Sequence, residues 1–185
     1  MKIAVEGNVH SGKTTYIGKF LKENPEYTVV PECLFDASLG DYERQLYYID
    51  QERQKTTKFA GLENTIQDRS ILSTLCYTMF MTTISVEQKA ELINMILTGI
   101  KNGEFIIPEK IYYVRCPADI VAVNHEVLKN EKGTQDVLAS NNYIDFYNAQ
   151  FAKWLKKSTK ETEISSGDRT ISVYSAENLF KNLKA

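Results

Sequence analysis

Residues 7 to 15 read GNVHSGKTT, a run in which two glycines with four residues between them are followed at once by lysine and threonine. Glycine lets the backbone curl so that successive N–H groups face one anion, and the N-terminus of a following helix adds its dipole. Lys13 supplies a mobile positive charge, and the Thr14 hydroxyl can hold a divalent cation that the anion carries. This is the chemistry of gripping the tail phosphates of a nucleotide. Gly7, Asn8, Val9, His10, Ser11, Gly12, Lys13, Thr14 and Thr15 are the expected wall of that nest. His10 reads as a spacer whose side chain points out of the nest, and the second histidine, His125, reads as an exposed helix residue.

The loop needs a strand before it and a helix after it, and the sequence offers both. Strand-like runs fall at 2–6, 27–32, 64–68, 110–116 and 170–175, separated by helical patterns at 13–23, 41–59, 70–82, 85–101, 117–130, 141–157 and 176–184. Helices alternating with short Val-, Ile- and Tyr-rich strands predict an α/β fold: a three-layer α/β/α P-loop NTPase domain over 1–185 with a five-stranded parallel sheet. The polar stretch NEKGTQDVLASNN predicts a small lid at about 129–142, and Ser175 is a candidate cap for the last helix. The 185 residues suffice for one such domain.

Bulk properties exclude several functions. A net charge of −2 provides no basic field for a nucleic acid polymer, so a small, pocketed nucleoside or nucleotide is the expected ligand. Three widely spaced cysteines, Cys33, Cys76 and Cys116, form neither a disulfide framework nor a metal quartet, which suits a reducing cytoplasm. Lys2 and Glu6 interrupt the first apolar run, so no signal peptide is expected, and no apolar stretch approaches membrane-spanning length. The Asn-Lys-x-Asp and Asp-x-x-Gly signatures of a GTPase are absent. A small ATP-dependent kinase fits the loop best.

Four segments, taken in order, resemble the deoxynucleoside kinase family, a sister of the thymidylate kinases. They are Glu6-Gly7-Asn8-Val9 opening the loop, VVPE ending in Glu32, QDRS containing Asp68-Arg69-Ser70, and YIDFYNAQFAKWL at 143–155. The resemblance implies transfer of the γ-phosphate of ATP to the 5′-hydroxyl of a deoxynucleoside. Glu32 would then be the base that accepts the hydroxyl proton, Lys13 and Arg69 the cations that meet the transferring phosphoryl group, and Asp68 with Thr14 the holders of Mg2+. Open parallel sheets gather ligands at the carboxyl ends of their strands, where Glu32, Asp68 and Arg69 are expected.

On the acceptor side, the helix at 41–59 presents Tyr47, Tyr48, Gln45, Gln51 and Arg53. The resemblance implies that Arg53 contacts the acceptor and that Gln45 or Gln51 reads a base edge; Tyr48 would line the pocket. Thr74 stands where some relatives carry an acidic base reader. The lid departs from the family: its arginines are missing, and Lys129 and Lys132 are the local substitutes. By the same resemblance, YSAENL at 174–179 would wrap the adenine. Two other readings compete: a thymidylate-kinase-like monophosphate kinase, against which Val9 lacks the usual carboxylate, and a nucleotide-binding regulatory protein with a weakened lid. The apolar helices at 70–82 and 85–101 are candidates for a homodimer interface or for the core.

Overall fold

The computed structural model describes residues 1–132, 136–166 and 169–184. Its elements are β1 (Lys2–Gly7), α1 (Lys13–Glu23), β2 (Thr28–Val30), α2 (Asp41–Phe59), β3 (Thr65–Asp68), α3 (Ile71–Phe80) and α4 (Val86–Asn102). They are followed by β4 (Lys110–Arg115), α5 (Ala118–Lys132), a 3-10 turn (Asp136–Ala139), α6 (Asn141–Leu155), β5 (Lys160–Ser166), β6 (Arg169–Ser175) and α7 (Glu177–Lys184). Their boundaries follow from local chemistry. Ser70 caps α3 by accepting from the Leu72 N–H, Ser140 caps α6 by accepting from Tyr143, and Ser85 forms a reciprocal capping box with Gln88 at the start of α4.

The strands form one sheet in the order β2-β3-β1-β4-β6-β5. The first four are parallel, as expected, but β6 runs antiparallel to β4, with Arg115 opposite Thr170 and Lys110 opposite Ser175. The expected five-stranded parallel sheet is therefore corrected to six strands. The additional strand, β5, climbs along the edge and hands the chain to a descending β6. Because β6 descends, Ser175 ends its strand beside Lys110, where β4 begins, and Ala176 precedes α7 in the place where Ser175 was expected to cap it.

The period-two alternation of β1 sorts its side chains between the two faces. Ile3 and Val5 pack with Ile17, Ile66 and Val114 under α1. Glu6 points to the opposite face, where α3, α4, α6 and α7 build the larger core around Leu72, Leu92, Ile96, Tyr147 and Phe151. Ile71, Leu72, Leu75 and Cys76 of α3 and Leu92, Ile96 and Ile100 of α4 lie in this core, so the helices considered for a dimer interface bury those faces within the chain, while Val86 is exposed. Among the described residues no helix is long and apolar enough to cross a membrane.

Candidate active site

The loop between β1 and α1 is built as its glycines require. Gly7 has φ 154°, and a Cβ there would meet the Val114 carbonyl oxygen at 2.5 Å, so only glycine lets the loop leave the sheet so close to β4. Gly12 has φ 92°, and a Cβ would meet the Arg169 guanidinium at 2.7 Å. Lys13 is buried and donates to the Asn8 carbonyl oxygen at 2.9 Å, folded along the loop it serves. Burial, and next the positive charge of Arg69, lower its ammonium to about 8 against the opposing pull of Glu32, Asp68 and Glu6.

His10 is more than a spacer. It adopts φ 55°, and its ring meets that of His125 with 3.2 Å between Nε2 and Nδ1. Asn124 also donates to the His10 carbonyl oxygen at 3.1 Å. His125 is buried, where the sequence suggested exposure. Helix α5 is thereby latched to the phosphate loop across 115 positions of sequence, a separation that no local pattern reveals.

At the strand ends the expected groups converge. The Thr14 hydroxyl donates to Asp68 Oδ2 at 3.0 Å, while Asp68 Oδ1 is buried with no hydrogen-bond partner among the described residues. Arg69 follows with φ 66°, and its Nε stands 2.6 Å from Glu32 Oε1. Burial would raise the Glu32 carboxyl, but Arg69, Lys13 and Lys55 outweigh it and hold the group below its usual range. Glu6, which the sequence offered only as a motif letter, anchors the arrangement from beneath. Its carboxylate accepts from the Ser70 N–H at 2.9 Å, from the Ser70 and Ser73 hydroxyls at 2.6 Å, and from Tyr147 at 3.1 Å. Tyr147 in turn accepts from the Gly7 N–H at 3.1 Å. Loop, α3 and α6 are thus tied to one buried acid whose pKa burial raises and the serine hydrogen bonds lower.

Two cavities meet above these residues. A groove of about 530 Å³ runs over Val9, His10 and Gly12 to Thr15 and is bordered by Asn124 and Arg169. A chamber of about 90 Å³ lies between α2 and α3, walled by Tyr48, Tyr77, Tyr143, Ser73, Thr74 and Glu52. Glu32, Cys33, Tyr48, Arg69 and Leu138 line both.

Of the residues expected to contact an acceptor, Glu32, Tyr48 and Arg69 line the chamber, and three do not. Gln45 is fully buried behind it, accepting from the Thr78 hydroxyl at 3.0 Å. Gln51 is bound through both amide atoms to the backbone of Leu34, at 2.8 and 3.0 Å, and so clamps the loop after Glu32. Arg53 turns away to pair with Glu104 at 2.8 Å. Helix geometry explains the error: Gln45, Tyr48 and Glu52 share one face, and Gln51 and Arg53 flank it by roughly 100° on either side. The side chains of Lys129 and Lys132, together with Gly133 and Thr134, lie outside the described residues. The segment 174–179 lies at the opposite end of the sheet from the phosphate loop, because β6 descends, so it is not placed to wrap a base. The same reversal brings Arg169, a residue the sequence reading did not select, against Gly12.

No protein-family profile and no curated protein matches the sequence. Solved structures do match. A deoxyadenosine kinase from M. mycoides with bound dATP superposes with a TM-score of 0.63 at 18% identity, covering 85% of each chain. A deoxyadenosine kinase from the same organism, with the products dCMP and a flexible dCDP bound, gives 0.60 at 17% identity and 84% of each chain. The chain therefore has the fold of deoxynucleoside-kinase-like P-loop kinases.

Proposed function

We propose that this chain transfers the γ-phosphoryl group of ATP to the 5′-hydroxyl of a deoxynucleoside. The observation that carries this reading is the junction of the two cavities, where one carboxylate and one guanidinium, Glu32 and Arg69, serve a phosphate groove and an aromatic-walled chamber together. The hydroxyl oxygen of an acceptor in the chamber attacks the phosphorus, its proton passes to Glu32, and the bond to the β-phosphate oxygen breaks. Lys13 and Arg69 offset the negative charge of the transferring group and of the departing ADP, and Arg169 adds a cation at the edge of the groove.

Thr14 and Asp68 fit Mg2+: a hydroxyl and a carboxylate with one unpartnered oxygen suit a cation that takes its other ligands from water and phosphate, where it would neutralise charge on the transferring group. Among the described residues there is no cluster of three or more acidic, His or Cys ligands, which agrees with a metal held largely by its nucleotide. Of the two nucleotides described in the second structure, dCMP is what a deoxynucleoside acceptor becomes and dCDP is what a triphosphate donor becomes, a pair in keeping with a nucleoside acceptor.

A coupled assay of ADP release, run over a panel of deoxynucleosides and their 5′-monophosphates, tests the reading. Transfer to deoxynucleosides is expected. Transfer to monophosphates alone would replace it with the thymidylate-kinase-like alternative, and nucleotide binding without transfer would leave a regulatory protein.

Nucleotide binding should also be linked to a proton. In the free protein Lys13 loses its charge as pH rises through about 8, whereas a bound triphosphate favours the charged ammonium. Binding of a non-hydrolysable ATP analogue should therefore take up almost no proton at pH 7 and close to one at pH 9. Affinity should fall by up to about tenfold per pH unit above 8 until the bound-state pKa is reached. Calorimetry in buffers of different ionisation enthalpy measures the uptake directly, and Lys13→Met should abolish it.

A further inference from the structure

Two carboxylates line the chamber: Glu32, which it shares with the phosphate groove, and Glu52, which belongs to the chamber alone. Glu52 is 4% exposed, an expensive position for a charge unless it is paired. Its pairing is one-sided. Lys55 donates to Oε1 at 2.8 Å and the Cys33 thiol donates to the same oxygen at 3.1 Å, while Oε2 accepts no hydrogen bond from any described residue. Lys55, itself buried, neutralises the charge, so the spare oxygen suits a neutral N–H donor better than a second cation. Tyr48, Tyr77 and Tyr143 supply aromatic surface beside it, and Thr74 adds no charge.

Resting on the reading above, in which the 5′-hydroxyl meets Glu32, we propose that Glu52 is the specificity-determining residue of the chamber, and that its free oxygen accepts a hydrogen bond from the exocyclic amino group of the acceptor's base. The substrate class is thereby narrowed to amino-bearing deoxynucleosides. Their oxo counterparts place a carbonyl oxygen against the carboxylate, where two acceptors face each other without a proton between them. A site built to bond an N–H discriminates strongly against an analogue that lacks it, because the buried acceptor is left unpaired.

Glu52→Gln tests this with little change of shape. Lys55 and Cys33 both donate, so they hold the amide oxygen where Oε1 stands and place the amide N–H2 where Oε2 stood. An acceptor facing the base becomes a donor. The wild-type protein should prefer deoxyadenosine to deoxyinosine, or deoxycytidine to deoxyuridine, by at least about tenfold in kcat/KM, and Glu52→Gln should lower that ratio at least about tenfold. A purely structural Glu52 would depress both members of a pair alike. An unchanged ratio in the variant, or a wild-type preference for the oxo member, overturns the inference. Direct binding of the same pairs, as nucleosides and as monophosphates, separates it from the reaction: discrimination in binding without transfer rejects the proposed reaction and keeps Glu52 as reader. Equal binding of amino and oxo members rejects Glu52 as reader, whatever the transfer assay shows.

Discussion

Glu32→Gln should lower kcat for phosphoryl transfer by about 10²–10⁴-fold while leaving the affinity for a non-hydrolysable ATP analogue almost unchanged. Glutamine keeps the size of the side chain and an oxygen that Arg69 can meet, but it cannot take the proton of an attacking hydroxyl. The position is favourable for that task. Glu32 stands 2.6 Å from Arg69 and lines both the groove and the chamber, so an acceptor hydroxyl aimed at the terminal phosphate passes beside it.

Its protonation state follows from its surroundings. Partial desolvation beside Arg69 opposes the charge, but Arg69, Lys13 and Lys55 hold Glu32 below its ordinary value of 4.5, so it is ionised throughout the neutral range. Turnover that depends on Glu32 should persist as pH falls through the ordinary carboxylate range and be lost only below it, as the group protonates at its lowered pKa. The same linkage gives the fold a contribution that is present above the ordinary value and disappears as pH falls through the lowered one. That contribution is small, because the Glu32 side chain is half exposed. Tm should therefore barely move in Glu32→Gln. Single-turnover rates with saturating ATP, set beside analogue binding, check the prediction; a variant with full kcat would remove Glu32 as the base.

What the sequence disclosed depended on how local the signal was. The phosphate loop is contiguous, and each of its required residue types stands within nine positions, so its chemistry was legible at once. Helix α2 has the bounds expected of it, and α3 begins one residue later than expected because Ser70 is its cap. Strand β5 was not legible: KETEISS has one apolar residue, Ile164, and that residue is itself exposed, so an edge strand gave no pattern to read. The direction of β6 is a property of the connection, and its composition is the same whether it climbs or descends. That single reversal moved the segment 174–179 away from the loop and brought Arg169 to it.

Within α2 the difficulty was one of faces. The helix carries polar residues on several faces, so the sequence reading selects Gln51 and Arg53 for a ligand and passes over Glu52. Only packing distinguishes them, by giving Gln51 to Leu34, Arg53 to Glu104, and Glu52 to the chamber. The Glu6 hub and the His10–His125 contact were hidden for a related reason. Their partners lie 64 to 141 positions away and come together only through the sheet order.

Arg69→Lys should lower kcat by about 10²–10³-fold, with a much smaller effect on ATP analogue binding, and should not be rescued by the retained charge. The guanidinium has several donors in one plane. Its Nε forms an ion pair with Glu32 Oε1 at 2.6 Å, and one terminal nitrogen donates to the Ser73 hydroxyl at 3.3 Å. That pairing holds the fork at the junction of groove and chamber, and in the proposed reaction its remaining donors would meet charge that builds on the transferring phosphoryl group. An ammonium is a point charge at the end of a flexible stem; it can stay with Glu32 or follow the phosphate, but it cannot span both. The backbone supports a functional origin for the arrangement. Arg69 holds φ 66°, a conformation that costs an L-residue about 1–3 kcal/mol, and its N–H is pinned to the Val5 carbonyl oxygen at 3.1 Å. Arg69→Gly should therefore regain part of that strain and lose less stability than removal of so large a side chain implies, yet be as inactive as Arg69→Lys. If Glu32 and Arg69 act as one unit, as proposed, the double variant Glu32→Gln with Arg69→Lys should be little slower than the slower single variant. Rates that multiply instead would show that the two residues work separately, and would undo the assignment of a shared role at the junction.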